Sequence, residues 1–208
     1  MSDVVHFESG FSIRRAQASD RDRMYEICLK TGDFGQDASP LFRHGEMLGD
    51  IYAGPYLEFE PDLCFLLCKN EEVLGYAIAA RDSRVFATRV DEKWWPMVRA
   101  KYHDKLDILN ENERRLWEII ARPFEVNPEL MDKYPSHLHI DLIGTAQGQG
   151  LGRVLMEHLL AALKGADTCG VHLGVAKLNV YGIKFYEKTG FIRLAEDRNT
   201  LFYGRQFT

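Results

Sequence analysis

The chain of 208 residues carries a net charge of −5, with 46% hydrophobic and 27% charged residues, as expected of a single soluble domain over residues 1–208. Acidic and basic residues are interspersed without a Lys/Arg block, which excludes the electrostatic signature of a nucleic-acid-binding protein. No apolar run approaches the ~20 residues of a membrane span, and residues 1–10 lack a secretory signal pattern, so we expect a cytoplasmic protein without a membrane partner.

The amino-terminal part of the chain predicts one strand followed by helices. Residues 11–16 alternate apolar and polar side chains like a strand, and Ser19 with Asp22 offers a capping box for a helix that continues through Cys28. Glycine and proline residues then interrupt this helix. Residues 41–54 form another short helical pattern before Gly54-Pro55, so we expect an order of strand, helix, helix.

Two apolar runs of strand type follow. Residues 62–68 and 73–80 are separated by a short polar turn, which predicts an antiparallel hairpin. Cys64 and Cys68 can face the same side of the first run, but two thiols would suit a metal only if further ligands joined them. Because the chain has 4 cysteines and no close-spaced pairing framework, we expect free thiols and no metal site.

Residues 83–135 differ in character from the rest. Trp94, Trp95 and Trp117 lie among charged residues at helical spacing, and several prolines punctuate the segment. We interpret it as a helical insertion between the third and fourth predicted strands. A separate domain is disfavoured because a segment of this length would have a poor core of its own.

The carboxyl-terminal part alternates strands and helices clearly. The strand patterns cover residues 137–144, 170–176, 191–196 and 200–207, and the helical patterns cover residues 150–164 and 180–188. A strand, a helix and a strand within such a short stretch imply a parallel pair with a right-handed crossover. The chain as a whole therefore predicts an α/β protein with a mixed sheet.

The turn after residues 137–144 has the composition of an anion-binding site. Gly148, Gly150 and Gly152 alternate with other residues and lead directly into a helix, where backbone N–H groups and the helix dipole favour a phosphate. A plain tight turn would need one glycine. The spacing differs from the G-x-G-x-x-G of dinucleotide folds, and Gly152-Arg153-Val154 lacks the Gly-Lys-Ser/Thr of a P-loop.

Residues 147–152, Gln-Gly-Gln-Gly-Leu-Gly, match the Gln/Arg-x-x-Gly-x-Gly/Ala signature of the GNAT acetyltransferases, and residues 179–191 resemble the second conserved block of that superfamily. The predicted element order also fits. Residues 26–57 and 137–156 resemble bacterial relatives of the acetyltransferase-like C-terminal domain of O-GlcNAcase. The resemblance implies a GNAT acyl-CoA N-acyltransferase fold and acetyl-CoA as co-substrate.

By this resemblance, backbone groups at the end of the strand hold the pantetheine arm and the turn amides hold the pyrophosphate. The implied coenzyme contacts are Leu142, Ile143, Gly144, Gln147, Gly148, Gln149, Gly150, Leu151, Gly152, Asn179, Phe185 and Tyr186. Asn179 can also serve as a helix N-cap. The backbone of Leu142 is the expected donor to the oxyanion that forms during acyl transfer.

Candidate catalytic residues follow from the chemistry of amine acetylation. Tyr186 stands where the superfamily often places the acid that protonates the departing thiolate, and a half-buried packing role is the alternative. His137, His139 and Asp141 share one strand face by period two, and one of them could remove the amine proton. Histidines in strands more often have structural roles.

Acceptor binding is the least determined part of the interpretation. Asp33 and Asp37 lie in a glycine-containing loop expected over the acceptor cleft and could bind a cationic amine, a small molecule or a lysine side chain. Trp94 and Trp95 could line a pocket or pack the insertion on the sheet. Two functions stay open: an acetyltransferase acting by direct attack in a ternary complex, or a catalytically silent acyl-CoA-binding or protein-interaction module. Superfamily members often dimerise, so a homodimer is compatible with either.

Overall fold

The computed structural model describes residues 4–7, 10–123 and 128–207. Its centre is an 8-stranded sheet with the strand order β1-β2-β3-β4-β5-β6-β8-β7. The strands are β1 (Val5–His6), β2 (Phe11–Arg15), β3 (Cys64–Lys69), β4 (Glu72–Ala80), β5 (Ser136–Leu142), β6 (Gly170–Ala176), β7 (Ile192–Glu196) and β8 (Thr200–Gln206). β5 and β6 run parallel, and the other neighbouring strands run antiparallel.

Helices cover both faces of this sheet. They are α1 (Arg21–Thr31), α2 (Glu46–Tyr52), α3 (Gly54–Phe59), α4 (Ser83–Arg89), α5 (Trp95–Tyr102), α6 (Glu111–Ala121), α7 (Pro128–Lys133), α8 (Leu151–Lys164) and α9 (Val180–Lys188). Among the described residues, no helix has the length and apolar character that crossing a membrane requires.

The structure confirms the predicted mixed sheet, the hairpins β3–β4 and β7–β8, and the crossover from β5 through α8 to β6. The expected capping box of Ser19 and Asp22 is wrong, because α1 begins at Arg21 and the Asp20 carboxylate instead accepts hydrogen bonds from Arg14 and from the Gln17 backbone. The fourth predicted strand ends at Leu142 rather than at residue 144. Gly54-Pro55 starts α3 instead of ending the helical region.

The sheet separates two apolar layers. On one face, side chains of β3 and β4 such as Leu66, Tyr76 and Ile78 pack with α1, α2 and α3. On the other face, side chains such as Leu138 and Ala77 pack with the apolar stripe of α8. Because side chains alternate along a strand, the apolar side chains of β5 pack in the second layer, and the residues between them face the first layer.

The segment predicted as a helical insertion forms α4 to α7 between β4 and β5, with residues 124–127 outside the described part. Trp94 and Trp95 are buried in the same apolar layer as α1 and α2. The Trp94 indole N–H donates to the Asp50 carbonyl of α2 over 2.7 Å, and the Asp50 carboxylate accepts from Tyr102 of α5. The segment therefore shares the core of the sheet instead of having one of its own.

The carboxylate of Glu113 fixes this segment to the connection between α1 and α2. It is fully buried on α6 and accepts hydrogen bonds from the backbone N–H groups of Arg43, His44 and Asn110 over 2.6, 2.6 and 2.9 Å. Burial opposes its ionisation, but these hydrogen bonds outweigh burial and lower the pKa of Glu113. Glu113 thus fixes the end of the connection that precedes α2. The other end, near residue 35, lines a cavity together with Gly144 and Gln147.

Candidate functional site

A gap between β5 and β6 forms the centre of the candidate site. The two parallel strands pair only at Ser136 with Val171 and at His137 with His172. β5 continues to Leu142 along β4, and β6 continues to Ala176 along β8. In the described structure the two strands diverge after His137, so their facing backbone groups are not hydrogen-bonded to each other there. These groups can form hydrogen bonds with another extended molecule.

The backbone of Leu142 faces this gap. The N–H group of Ile143 donates to the Leu74 carbonyl of β4 over 3.0 Å. Backbone groups alternate in direction along an extended strand, so the N–H and C=O groups of Leu142 point away from β4 and toward β6. The Gln147 side-chain amide donates to the Leu142 carbonyl over 2.7 Å, which ties the glycine turn to the end of β5.

The glycine turn that follows β5 has an open, left-handed backbone at two positions. Gly148 has φ 74° and Gly150 has φ 77°, a region that favours glycine. No atom lies within 4 Å of a Cβ built on either residue, so the backbone at both faces open space. Within the described chain, the N–H groups of residues 148–152 have no backbone acceptor. Together with the start of α8 at Leu151, they form a group of backbone donors of the kind that can bind an anion.

Gly152 has a different role from the other two glycines. It lies inside α8, and a Cβ built on it would lie 3.3 Å from the Phe185 ring and 3.8 Å from Leu142. Its lack of a side chain therefore lets α8 approach α9 and the end of β5 closely. The sequence pattern had assigned all three glycines to the ligand.

His137, His139 and Asp141 share the face of β5 that packs toward α1, α2 and α3, as the alternation predicts. Both ring nitrogens of His137 have partners: Nδ1 lies 2.7 Å from Ser83 Oγ, and Nε2 lies 2.6 Å from the Tyr56 hydroxyl. The Ser83 hydroxyl donates to the Pro135 carbonyl, so Nδ1 is the donor and Nε2 accepts from Tyr56. His137 therefore has no free nitrogen with which to accept a proton.

His139 is surrounded by aromatic rings. Its ring centroid lies 5.8 Å from that of Tyr52 and 5.4 Å from that of Tyr56, in edge-on geometry. Burial, followed by the charge of His172, lowers the pKa of His139 to about 4, so the imidazole is neutral at physiological pH. A neutral imidazole among tyrosines is a weak base, so His139 serves mainly as part of an aromatic wall.

Asp141 lies at the open end of β5. Its Oδ2 accepts a hydrogen bond of 2.6 Å from Tyr76, a fully buried residue of β4. Burial raises the pKa of Asp141, and the hydrogen bonds from Tyr76 and Thr31 oppose that rise. A carboxyl group with a raised pKa beside an open gap is a stronger proton acceptor than an ordinary aspartate.

Tyr186 on α9 and Asn179 at the N-cap of that helix lie on the other side of the gap. Burial raises the pKa of Tyr186, and the charge of Asp141 raises it further, so the two groups interact electrostatically across the cleft. The ring of Tyr186 packs against Phe185 and Phe191 at centroid distances of 5.5 and 5.8 Å. The Asn179 side chain caps α9 by accepting from the Gly182 N–H over 2.8 Å.

Asp33 and Asp37 lie in the connection after α1. The backbone groups of Asp33 and Gln36 exchange two hydrogen bonds of 3.1 and 2.9 Å, and Asp37 Oδ1 accepts from the Ser39 N–H. Asp37 lines a cavity of ≈ 290 Å³ whose other wall includes Gly144 and Gln147 of the glycine turn. The loop predicted to lie over an acceptor cleft therefore also borders the glycine turn.

The described residues contain no group of three or more His, Cys, Asp or Glu side chains placed to hold a metal ion. Cys64 and Cys68 both belong to the apolar layer on the α1 side, as their spacing predicts, and both are free thiols.

The sequence missed the hydrogen-bonding partners of the β5 side chains. Tyr76 and Tyr56 are separated from Asp141 and His137 by 65 and 81 positions, so no local pattern connects them. The one available signal was a tyrosine in the otherwise aliphatic run of β4.

Comparisons with known proteins agree with this architecture. The model of the acetyltransferase (GNAT) family matches residues 33–191. Protein O-GlcNAcase of Rattus norvegicus is 26% identical over 191 residues, which is 89% of this chain but 20% of the rat protein, so the chain spans about a fifth of that relative.

Two solved structures illustrate the range of structural similarity. The crystal structure of SsHAT is 30% identical with a TM-score of 0.88, covering 95% of this chain and 98% of that one. A structure of yncA, a putative acetyltransferase from Salmonella typhimurium with its cofactor acetyl-CoA, is 14% identical with a TM-score of 0.56, covering 95% and 94%. The latter similarity supports the fold alone, whereas the former confirms the resemblance to acetyltransferase-like proteins over nearly the whole chain.

Proposed function

Because this chain belongs to the acetyltransferase (GNAT) family, we propose that it transfers an acetyl group from acetyl-CoA to an amine acceptor by direct attack within a ternary complex. The observation that carries the proposal is the arrangement of Asp141, the Leu142 N–H and Tyr186 around the open end of the gap between β5 and β6.

The coenzyme would bind along the gap and the glycine turn. The unpaired edge of β5 provides backbone partners for the two amides of the pantetheine arm. The N–H groups of residues 148–152 and the start of α8 would take the pyrophosphate. Ile143 and Asn179 flank this path on its two sides, and Phe185 supports it by packing behind Gly152.

Asp141 would prepare the amine for attack. An alkylamine with a pKa near ~10.4 arrives as an ammonium ion, which the Asp141 carboxylate attracts and deprotonates. The neutral amine then attacks the thioester carbonyl, whose developing oxyanion is stabilised by the Leu142 N–H. Tyr76 holds the Asp141 carboxylate in position by its hydrogen bond.

Tyr186 would stabilise the departing thiolate. When the tetrahedral intermediate collapses, the carbon–sulfur bond breaks and the electron pair remains on sulfur. The attacking nitrogen loses its remaining ammonium proton to solvent, which leaves a neutral amide and the thiolate. Because burial raises the pKa of Tyr186, its hydroxyl is fully protonated at physiological pH and can donate a hydrogen bond to that sulfur. The raised pKa also makes complete proton transfer less favourable than an ordinary phenol would allow, so hydrogen bonding carries more of the effect.

The acceptor would approach over Tyr52 and His139. These rings form the wall beside Asp141 on the side of α2, and aromatic faces attract alkylammonium groups. An amine acceptor is consistent with both the carboxylate and this wall, and the choice among small amines, amino sugars and lysine side chains would depend on the surrounding loops.

The test is the release of free CoA thiol from acetyl-CoA in the presence of small amines, amino sugars and lysine peptides. We expect turnover with at least one amine and about a tenfold lower kcat for Tyr186→Phe, with nearly unchanged acetyl-CoA affinity. Tyr181→Phe is the matched control, because Tyr181 lies on the same helix and is 80% exposed.

Acetyl-CoA binding without turnover on any amine would contradict the enzyme and support the silent acyl-CoA-binding module. Equal kcat values for Tyr186→Phe and the unmodified protein would show that the Tyr186 hydroxyl does not stabilise the leaving thiolate. The proposed acetyl transfer itself would still stand.

A further inference from the structure

The connection between α1 and α2 crosses the gap in which the coenzyme is proposed to bind. Gly35 and Asp37 line the cavity of ≈ 290 Å³ whose other wall is Ile143, Gly144 and Gln147, directly after β5. A Cβ built on Gly35 would lie 3.9 Å from Oδ1 of Asn179, which lies between β6 and α9. A turn that borders the residues following both diverging strands must pass over the gap between them.

This turn holds an aromatic residue in an unfavourable backbone conformation. Phe34 has φ 51° and Gly35 has φ 91°, and the flanking residues Asp33 and Gln36 are paired as in a tight hairpin turn. A left-handed backbone is costly for a bulky residue, and Asn is the residue that such turns prefer before Gly.

Packing within the chain does not offset this cost. The side chain of Phe34 is 43% exposed, and among the described residues it belongs to neither apolar layer. Strained residues that persist without internal packing are typical of ligand-binding positions. Gly35 and Gln36, which follow Phe34, line the cavity, so a molecule bound in the gap is near enough to supply the contact that the ring lacks.

Lys30 brings a positive charge to the same place. It lines the cavity opposite Gly144 and Gln147, on the last turn of α1. Its ammonium group lies 3.4 Å from Glu26 in an exposed i,i+4 pair, a weak interaction that a phosphate could replace. The glycine turn offers backbone donors and a helix dipole to the pyrophosphate but no full charge.

We propose that the end of α1 and the turn Asp33–Gln36 form the second wall of the coenzyme site, with Lys30 contacting the phosphates and Phe34 covering the pantetheine arm. This inference rests on the proposed coenzyme binding and adds two side-chain contacts to it. In this proposal the turn that contains Asp33 contacts the coenzyme, whereas the sequence had suggested that Asp33 contacts the acceptor amine.

Calorimetric titration with two probes separates the two contacts. Acetyl-CoA carries the phosphates, whereas S-acetyl-pantetheine lacks them. We expect Lys30→Gln to weaken acetyl-CoA binding by about five- to tenfold and to leave S-acetyl-pantetheine binding unchanged within about twofold. Lys93→Gln, at an exposed position of the segment after β4, removes the same charge elsewhere and should change neither affinity.

Phe34→Asn tests the other contact by two opposite effects. The variant places Asn before Gly35, so relief of strain should raise the melting temperature by about 2–4 °C. Loss of the aromatic cover should weaken acetyl-CoA and S-acetyl-pantetheine alike, by about three- to tenfold. Phe34→Tyr keeps the ring and should retain affinity for both probes.

The outcomes distinguish this inference from the function on which it rests. If the unmodified protein failed to bind acetyl-CoA, the proposed function itself would fail. If it bound acetyl-CoA but Lys30→Gln had unchanged affinity, or lost affinity for both probes equally, Lys30 would not contact the phosphates. A Phe34→Asn protein that was more stable and bound both probes normally would show that Phe34 does not cover the arm.

Discussion

The two ends of β5 differ in how completely their polar groups are paired. At the amino end, Ser136 and His137 form a ladder with β6, and both ring nitrogens of His137 are hydrogen-bonded. At the carboxyl end, β6 has separated from β5, the Leu142 N–H faces the gap, and Asp141 has a raised pKa. The same strand therefore closes the sheet at one end and opens it at the other.

This difference connects stability with chemistry. Groups that already have partners hold α3, α4 and β5 together, but they have no capacity left for a substrate. Groups at the open end keep that capacity at a cost in free energy of unfolding. A carboxyl group whose folded-state pKa is raised stabilises the fold below its unfolded pKa, and this contribution is lost as pH rises through the folded pKa.

The largest expected effect is at the open end. We expect Asp141→Asn to lower the rate of acetyl transfer by about 10²–10³-fold, because it removes the proton acceptor and the partner of the ammonium ion. The same change should raise stability at neutral pH but not at acidic pH, because Asn is uncharged throughout. Kinetics and thermal melts at pH 4 and 7.5 measure both effects, with Asp104→Asn at an exposed position as control. An Asp141→Asn protein that was fully active and less stable at neutral pH would contradict the difference between the two ends of β5.

The next effect is at the closed end. Tyr56→Phe leaves Nε2 of the buried His137 without its donor, which we expect to lower the free energy of unfolding by about 1–3 kcal/mol. Acetyl-CoA affinity should be retained. Urea unfolding of Tyr56→Phe and of the exposed-site control Tyr181→Phe measures the difference. If Tyr56→Phe instead abolished turnover in a fully stable protein, the closed end would have a chemical role.

A smaller effect is expected in the turn beyond the open end. Gly150→Ala places a side chain at φ 77° and should cost about 1–2 kcal/mol of stability, although the space around it is open. Gly144→Ala also meets no atom within 4 Å and has no positive φ, so it should leave stability unchanged. Thermal melts without ligand compare the two variants. Equal stabilities would mean that the left-handed backbone of the turn is not required.

At neutral pH the smallest effect is that of the histidine titrations, because it develops only as the pH falls below about 6.5. The folded-state pKa of His139 is about 4, below its ordinary value of 6.5, and burial lowers the pKa of His137 as well. The unfolded chain therefore binds more protons, and stability should fall as pH decreases from about 6.5 toward 4. His139→Gln should flatten this part of the stability curve in urea titrations. An unchanged curve would assign the acid sensitivity to other groups.

Much of the fold could be predicted because its signals are local. The alternation in β2 and β5, the apolar stripe of α8 and the hairpin pattern of β3 and β4 each extend over a single element. β1 was missed because a two-residue edge strand has no periodicity to detect. The start of α1 was misplaced because Asp20 is held by Arg14, six positions away and on another element.

The candidate site could be predicted only in part. The glycine turn is a local signal. The alternation of β5 made Asp141 a candidate, the family resemblance made Tyr186 one, and the roles of both stay predictions. Tyr76 is paired with Asp141 across β4 and β5, and the intervening helical segment hides their register in the sequence. Lys30 and Phe34 are noticeable only once the structure places them beside the glycine turn and Asn179.

The alternating direction of successive residues along β5 restricts which insertions and deletions this strand tolerates. Asp141 faces α1 and the Leu142 N–H faces the gap because a fixed number of residues separates them from the last rung at His137. Deleting one residue between His137 and Asp141 would turn the carboxylate toward α8 and the Leu142 N–H toward β4. Deleting or inserting two residues would keep both directions, so the parity of this stretch, and not its exact length, fixes where the two groups point.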